Sequence, residues 1–368
     1  MDSLVSAPAR VAALDLGSSS LKTAAYAVGG ANELEVLQCR NVPFDRDDPH
    51  ASEQALTLIA NDVGDAPLGI GHRIVFGGPD HFEPVLASDA ILRELATFDD
   101  IEPLHLHAQL DLCRAARMHF PDARHVLCFD TAFHRRAPAI AHALPLPRNL
   151  DPLMHRYGFH GLSYEYIAEH LPERGRAIVA HLGSGASLCA MRDRAPVDTT
   201  MGLSALGGLM MATRPGDLDP GVMLHLIDRG YDASSLRTLL SHQSGLLGVS
   251  ESSDDMRALL DVYATDERAA LAVDLFVYQL VKMLGAMIAV LGGVDTIVFT
   301  GGIGEHAPVV RARACASFAF LGLTLDDARN GRDDRVISGP ASTPRVEVIP
   351  TNENLMIARH ALRLTDAR

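Results

Sequence analysis

Two short apolar runs in this chain end in the same glycine–serine turn. Val11-Ala-Ala-Leu-Asp-Leu-Gly-Ser-Ser-Ser20 and Ile178-Val-Ala-His-Leu-Gly-Ser-Gly-Ala-Ser187 each stay apolar for several positions, admit one polar residue, and turn at Leu-Gly-Ser. Runs of this length bounded by Gly and Ser read as buried strands. Extended-looking sequence follows each turn, over 21–28 and 188–191, so each copy predicts strand, turn, strand. Two copies of one hairpin predict a duplicated domain. A third apolar run, Thr296-Ile-Val-Phe-Thr300, leads into the turn-like Gly301-Gly-Ile-Gly304-Glu305. Helical periodicity fills the intervals at 52–63, 108–118, 164–171, 221–229 and 269–291. Strands alternating with helices, with hairpins among them, predict an α/β protein built on mixed sheets.

Composition narrows the class. At about 150 residues per domain, 368 residues predict two domains, here 1–150 with 355–368, and 151–354. Lys and Arg number 32 against 46 Asp and Glu, a net charge of −14; phosphate backbones and anionic lipid surfaces reward the opposite sign, so no nucleic-acid or membrane partner is expected. Five scattered cysteines with no C-x-x-C pair argue against a disulfide framework or a zinc site and for a reducing, cytoplasmic setting. The N-terminus has no apolar signal region. The most apolar stretch, Leu271 to Val294, is broken by Asp274, Gln279 and Lys282; a spanning helix needs about 20 apolar residues, so a buried helix is expected.

Candidate chemistry sits where strands end. In Asp15-Leu-Gly-Ser-Ser-Ser20, with Lys22 beyond it, Gly and Ser offer N–H groups and hydroxyls without bulk, which lets phosphate oxygens approach the main chain. Asp15 is placed to hold a metal-bound water. Gly183-Ser-Gly-Ala-Ser187 and Gly301-Gly-Ile-Gly304 are phosphate-compatible for the same reason, and no G-x-x-x-x-G-K-[ST] loop is present. Arg73 and Asp130 are charges embedded in apolar segments, a costly placement unless they are paired or used. Arg214 precedes a Pro-Gly turn, and His160 lies within Tyr157-Gly-Phe-His-Gly161.

In this order, these segments resemble the acetate kinase (acetokinase) family. Leu16-Gly-Ser-Ser-Ser-Leu-Lys22, Gly71-His-Arg-Ile-Val75, Pro103-Leu-His105, Phe129-Asp-Thr-Ala-Phe-His134, Arg156-Tyr-Gly-Phe-His-Gly161, His181-Leu-Gly183, Ser244-Gly-Leu-Leu-Gly248 and Pro350-Thr-Asn-Glu353 carry the resemblance. It implies duplicated actin-like, ribonuclease H-like ATPase domains, as in sugar kinases, heat-shock ATPases and actin, with a central interdomain cleft. The implied reaction is magnesium-dependent, in-line transfer of the ATP γ-phosphoryl group to acetate, giving acetyl phosphate and ADP, by a homodimer. By position, Arg73 and Arg214 hold the carboxylate and the migrating group, His160 bonds the phosphoryl oxygens, and Asp130 orients. Glu353 and Asp15 attend the magnesium. Val75, Leu104, His105 and Phe159 line the acyl site. Ser18, Ser20, Lys22, His181 and Gly183 face phosphates; Asp255, Met256, Arg257, Gly302, Ile303 and Gly304 lie in the adenosine region.

Several positions depart from the family pattern: Asp15 for Asn, Phe76 for His, Tyr164 for a second His, Ser184 for Asn, Met256 for Phe, His306 for Asn, and Ala205 for a Pro beside the acyl pocket. The last change raises a propionate or other short-chain carboxylate kinase as the alternative. The lost asparagines raise another, a nucleotide-binding sensor with weakened chemistry.

Overall fold

The computed structural model describes residues 8–366 apart from 18, 19, 47, 49, 65 and 148. The chain forms two compact units, one ending at Phe133 and resumed over Asn352–Arg368, the other His134–Thr351.

The first unit is built on β1 (Arg10–Leu16), β2 (Ser20–Val28), β3 (Leu34–Pro43), β4 (Gly69–Ile74), β5 (Val85–Leu86) and β6 (Arg124–Phe129), in the sheet order β3-β2-β1-β4-β6-β5. β1 and β2 are antiparallel, with Asp15 opposite Lys22, while β1, β4 and β6 run parallel. Helices Ala51–Val63 and Leu106–His119 bury Leu56, Ile59, Val63, Leu112 and Ala116 in a core with Leu14, Leu16, Leu21 and Ile70. Helix Glu353–Asp366 packs on β1, β4 and β6. Its approach to β4 depends on Gly71, where a Cβ would stand 2.5 Å from Ile357 Cγ2 and 2.7 Å from Ile357 O. That close seat brings Glu353, from the far end of the chain, to this sheet.

The second unit repeats the scheme. β7 (Arg176–Leu182), β8 (Ala186–Arg192), β9 (Ala195–Thr199), β10 (Thr296–Thr300) and β11 (Arg345–Val348) lie in the order β11-β10-β7-β8-β9. Three antiparallel strands and two parallel ones recur in the same spatial sequence as β3-β2-β1-β4-β6. The repeated hairpin of the sequence is therefore the first β-β unit of a duplicated sheet. Helix Glu267–Leu291 is long and apolar enough to cross a membrane by length and composition, at mean hydropathy 1.7. Here it is buried on one face only: Ala272, Val273, Phe276, Leu280 and Leu284 are buried and the helix packs along β8, while Leu271, Tyr278 and Val290 stay exposed.

The expected helices are observed as Ala51–Val63, Leu106–His119, Gly161–His170, Pro220–Asp228 and Glu267–Leu291. The third starts earlier than its periodicity suggests because Gly161, which reads as a breaker, occupies the first helical position after a left-handed His160. The stretch from Gly301, read as an open turn, is instead the start of helix Gly301–His306. Glu305 Oε1 accepts the Gly301 N–H at 2.8 Å, which satisfies a helix-start donor.

Candidate active site

In the first unit, parallel pairing brings three strand ends level. Asp15 and Arg73 each lie one residue before the end of β1 and β4, and Asp130 follows β6, its N–H bonded to Ile74 O at 3.0 Å. Arg73 Nε and Nη2 donate to Asp130 Oδ2 at 2.9 and 2.6 Å, and Nη1 donates to Asp15 Oδ1 at 2.8 Å. Three of the five guanidinium N–H groups are thus committed, and two remain for an incoming oxygen. Burial alone would lower the Arg73 guanidinium, but Asp130 and Asp15 hold it well above its ordinary value. Burial pushes the Asp130 carboxyl up, and Arg73 holds it back only in part. Lys22 Nζ stands 4.0 Å from Asp15 Oδ2 and is more than half exposed.

Glu353 opens helix Glu353–Asp366 beside this cluster. Burial raises its carboxyl to about 7, with Asp15 and Asp130 adding to the effect and Arg73 opposing it. Among the described residues, Asp130 Oδ1 and Glu353 Oε1 are buried with no hydrogen-bond partner. The folded chain binds the Glu353 proton more tightly than the unfolded chain does. Its contribution to stability is therefore full below the ordinary value of 4.5 and is lost as pH rises towards about 7. In metal-free protein, Glu353→Gln is expected to melt increasingly above the parent chain as pH rises through that window, by a few degrees. Parallel melting curves across it would contradict the assignment.

The rest of the acyl-site candidates in this unit are held by two side chains that the sequence reading missed. Gln109 is buried; it accepts from Val75 N–H at 2.8 Å and donates to Leu16 O at 2.9 Å, tying the end of β1 to the segment after β4. Its signal was present, as a lone amide on an otherwise apolar helix face. Arg46 donates to Gly17 O at 2.6 Å and to Leu104 O, which links the first turn to the 104 loop. Nothing in its acidic loop sequence marks it. His105 Nδ1 pairs with buried Glu102 at 2.9 Å. Ser20 begins β2, and its carbonyl closes the turn on Gly17 N–H at 2.9 Å; Ser18 lies outside the described residues.

In the second unit, His181 lies one residue before the end of β7 and Gly183 turns the chain, its N–H on Gly185 O at 2.9 Å. His160 is the left-handed residue before helix Gly161–His170 (φ 58°, ψ 26°), and its ring stacks on His181 with centroids 4.2 Å apart. Phe159 is buried, with its carbonyl accepting from His134 Nε2 at 2.8 Å. A carbonyl only accepts, so His134 is protonated on Nε2; burial lowers it to about 4, which keeps it neutral. Arg214 Nη1 donates to Ala205 O at 2.8 Å, and its loop is pinned by Ser244, Leu246 and Leu247 N–H groups on Thr213, Met211 and Ala212 carbonyls. Gly185 marks where these residues converge. A Cβ there would lie 2.8 Å from Arg214 Nη2 and 3.1 Å from His160 Nε2, so glycine lets both side chains border the second turn without displacement.

The residues expected in the adenosine region form separate local structures. Asp255 caps helix Met256–Asp261 by accepting from Arg257 N–H at 2.9 Å, Met256 is buried and Arg257 exposed. Gly302 is exposed, with nothing within 4 Å of a Cβ, and Gly304 is buried; Ile303 lies half-buried between them. Fully buried Arg311 donates to the carbonyls of Gly304 and Glu305, both at 2.8 Å, and so fixes this helix from behind. The sequence reading did not single it out, because an arginine in a helix reads as exposed.

Two repeats of one sheet topology, each with a Gly-Ser turn after its first strand, define a duplicated actin-like ATPase fold. Residues 47–359 match the acetokinase family. An acetate kinase of Rhodopseudomonas palustris is 48% identical over 308 residues, covering 81% of this chain and 77% of the relative. A propionate kinase structure from Francisella tularensis superposes at TM-score 0.88 with 29% identity, covering 96% of this chain and 99% of that one. A Porphyromonas gingivalis acetate kinase structure gives 0.84 and 30%, covering 97% and 99%. This chain belongs to the acetokinase family.

Proposed function

We propose that this protein catalyses reversible, magnesium-dependent in-line transfer of the ATP γ-phosphoryl group to acetate, giving acetyl phosphate and ADP. The observation that carries the reading is the Arg73 geometry, a guanidinium locked by two buried carboxylates with two N–H groups left to spend. Carboxylic acids, like side-chain carboxyls with values near ~4, are ionised at neutral pH, so the acceptor needs no strong base. Its obstacle is repulsion from the γ-phosphate. Fixed positive charge and donors aimed at the transferring group supply most of the rate in such reactions. Arg73 is assigned to the acceptor carboxylate, with Asp130 and Asp15 orienting it. Arg214 Nη2 and His160 Nε2, which border the Gly183–Gly185 turn, are assigned to phosphoryl oxygens. Val75, Leu104 and Phe159 are assigned to the acyl methyl group and His105 to the same site. Ser18, Ser20, Lys22, His181 and Gly183 are assigned to phosphates, and Asp255–Arg257 with Gly302–Gly304 to adenosine.

Magnesium suits the donors on the first unit. Among the described residues no three His, Cys, Asp or Glu side chains are grouped to hold an ion alone. Mg²⁺ characteristically takes one or two carboxylates and completes its shell with water and substrate phosphate. The buried, unpartnered oxygens of Glu353 and Asp130 fit that demand, whereas Asp15 Oδ1 is already engaged by Arg73. Bound there, Mg²⁺ would neutralise phosphate charge.

Ala205 favours a second reading on acyl length. It is buried, and its carbonyl is held by Arg214, so the room a proline ring would fill adjoins an assigned residue. One methylene discriminates by only about 1–3 kcal/mol, and propionate is expected as a good substrate. Trapping the acyl phosphate as a hydroxamate with acetate, propionate and butyrate tests this. Highest kcat/KM on butyrate would overturn the assignment, and ATP binding with no hydroxamate from any acid would favour the sensor.

A homodimer is supported by helix Pro220–Asp228, which has no buried residue and exposes Val222, Leu224 and Ile227. Apolar side chains left exposed around a helix are expected to be covered by a partner. Sedimentation velocity is expected to give a dimer that Leu224→Asp weakens; a monomeric parent chain would refute it. Cytoplasmic residence is supported by five free thiols, four of them buried.

A further inference from the structure

We propose that Tyr164 and Ser187 form a hydrogen-bond relay that fixes the tautomer of His160, holding Nδ1 as an acceptor so that Nε2 carries the proton facing the second turn. This rests on the phosphoryl-transfer reading for what Nε2 then does, but not for the relay itself. Tyr164 OH lies 2.5 Å from Ser187 Oγ, and Ser187 Oγ lies 2.9 Å from His160 Nδ1. Tyr164 and Ser187 are fully buried, so their hydrogen bonds are made within the protein. A phenol is a stronger acid than an alcohol, and an imidazole nitrogen is a stronger base than either oxygen. The favoured order therefore runs from the Tyr164 hydroxyl to Ser187 Oγ, and from the Ser187 hydroxyl to His160 Nδ1. The proton left on the imidazole sits on Nε2, the atom that borders Gly185 beside Arg214 Nη2.

The surroundings hold this order in place. Tyr164 packs edge-on against the ring of His134, with centroids 5.5 Å apart, and His134 is itself locked to Phe159 O. His181, stacked on His160, has its own hydroxyl partner on Nδ1, Ser163 Oγ at 2.8 Å. In its neutral form the His160 imidazole has one proton to place, and the relay decides which nitrogen receives it. Tyr164 and Ser187 are positioning residues, acting through His160.

Nitrogen-15 NMR of histidine-labelled full-length protein, with His160 assigned by its loss in His160→Gln, reads the tautomer without turnover. The expected parent spectrum shows a protonated Nε2 and an unprotonated Nδ1. Tyr164→Phe removes only the hydroxyl and is expected to raise the Nδ1–H population. It should lower kcat by roughly ten- to a hundredfold, the scale seen when the partner orienting a functional imidazole is lost, with both KM values little changed. Ser187→Ala should do the same, and the double variant should be no worse than Ser187→Ala alone. A parent His160 protonated on Nδ1 would overturn the relay whatever the variants do. So would Tyr164→Phe with an unchanged tautomer and kcat. An enzyme inactive on every carboxylate but with the expected tautomer would sink the functional reading and leave the relay standing.

Discussion

Replacing Arg73 with alanine is expected to lower kcat by about 100-fold or more, the scale of removing one preorganised charge stabiliser. The same change should destabilise the first unit. Asp15 and Asp130 are both buried and are each bound to this guanidinium, so the substitution strands two carboxylates. Breaking a buried pair by removing one partner costs about 3–5 kcal/mol. The two losses separate by design. Arg73→Ala combined with Asp130→Asn should recover much of the melting temperature and none of the rate. Arg73→Lys keeps a charge but cannot reach both carboxylates from one ammonium, and should remain far below the parent in kcat. A fall of less than tenfold for Arg73→Ala in well-folded protein would remove Arg73 from the chemistry.

Arg214→Ala should cost a comparable factor in kcat, about 100-fold, with the fold hardly affected. The contrast lies in the surroundings. Arg214 is half-buried and spends Nη1 on the neutral Ala205 carbonyl, and its loop is pinned by main-chain bonds from Ser244, Leu246 and Leu247. Added guanidinium is expected to restore part of the rate, since the loop that frames the lost group persists. A stable variant within tenfold of the parent would count against the assignment, and so would a large fall in melting temperature.

The strand ends were legible because the reason for them lies in the sequence. A charge inside an apolar segment is tolerated only when it is paired or used, and Arg73 and Asp130 prove to be each other's partners. The duplicated hairpin was legible as a repeated pattern, and the second sheet repeats five of the six strands of the first, all but β5. Partners contributed from far along the chain were not. Nothing local to Glu353 reveals that it starts a helix seated on β1 and β4, since that placement depends on the close approach at Gly71. Tyr164 read only as a departure from a family histidine, and its meaning came from Ser187, which a β-hairpin carries to within 2.5 Å of its hydroxyl. The 301–304 stretch was misread for the opposite reason: its glycines speak for a turn, while the helix depends on Glu305 and on Arg311 behind it.

The most direct measurement is phosphorus-31 NMR of the purified protein with ATP, Mg²⁺ and acetate. The expected result is loss of the γ-phosphate signal with matched appearance of acetyl phosphate and ADP, abolished when acetate or Mg²⁺ is withheld. Unchanged ATP, or inorganic phosphate released at the same rate with and without acetate, would contradict phosphoryl transfer to a carboxylate by this chain.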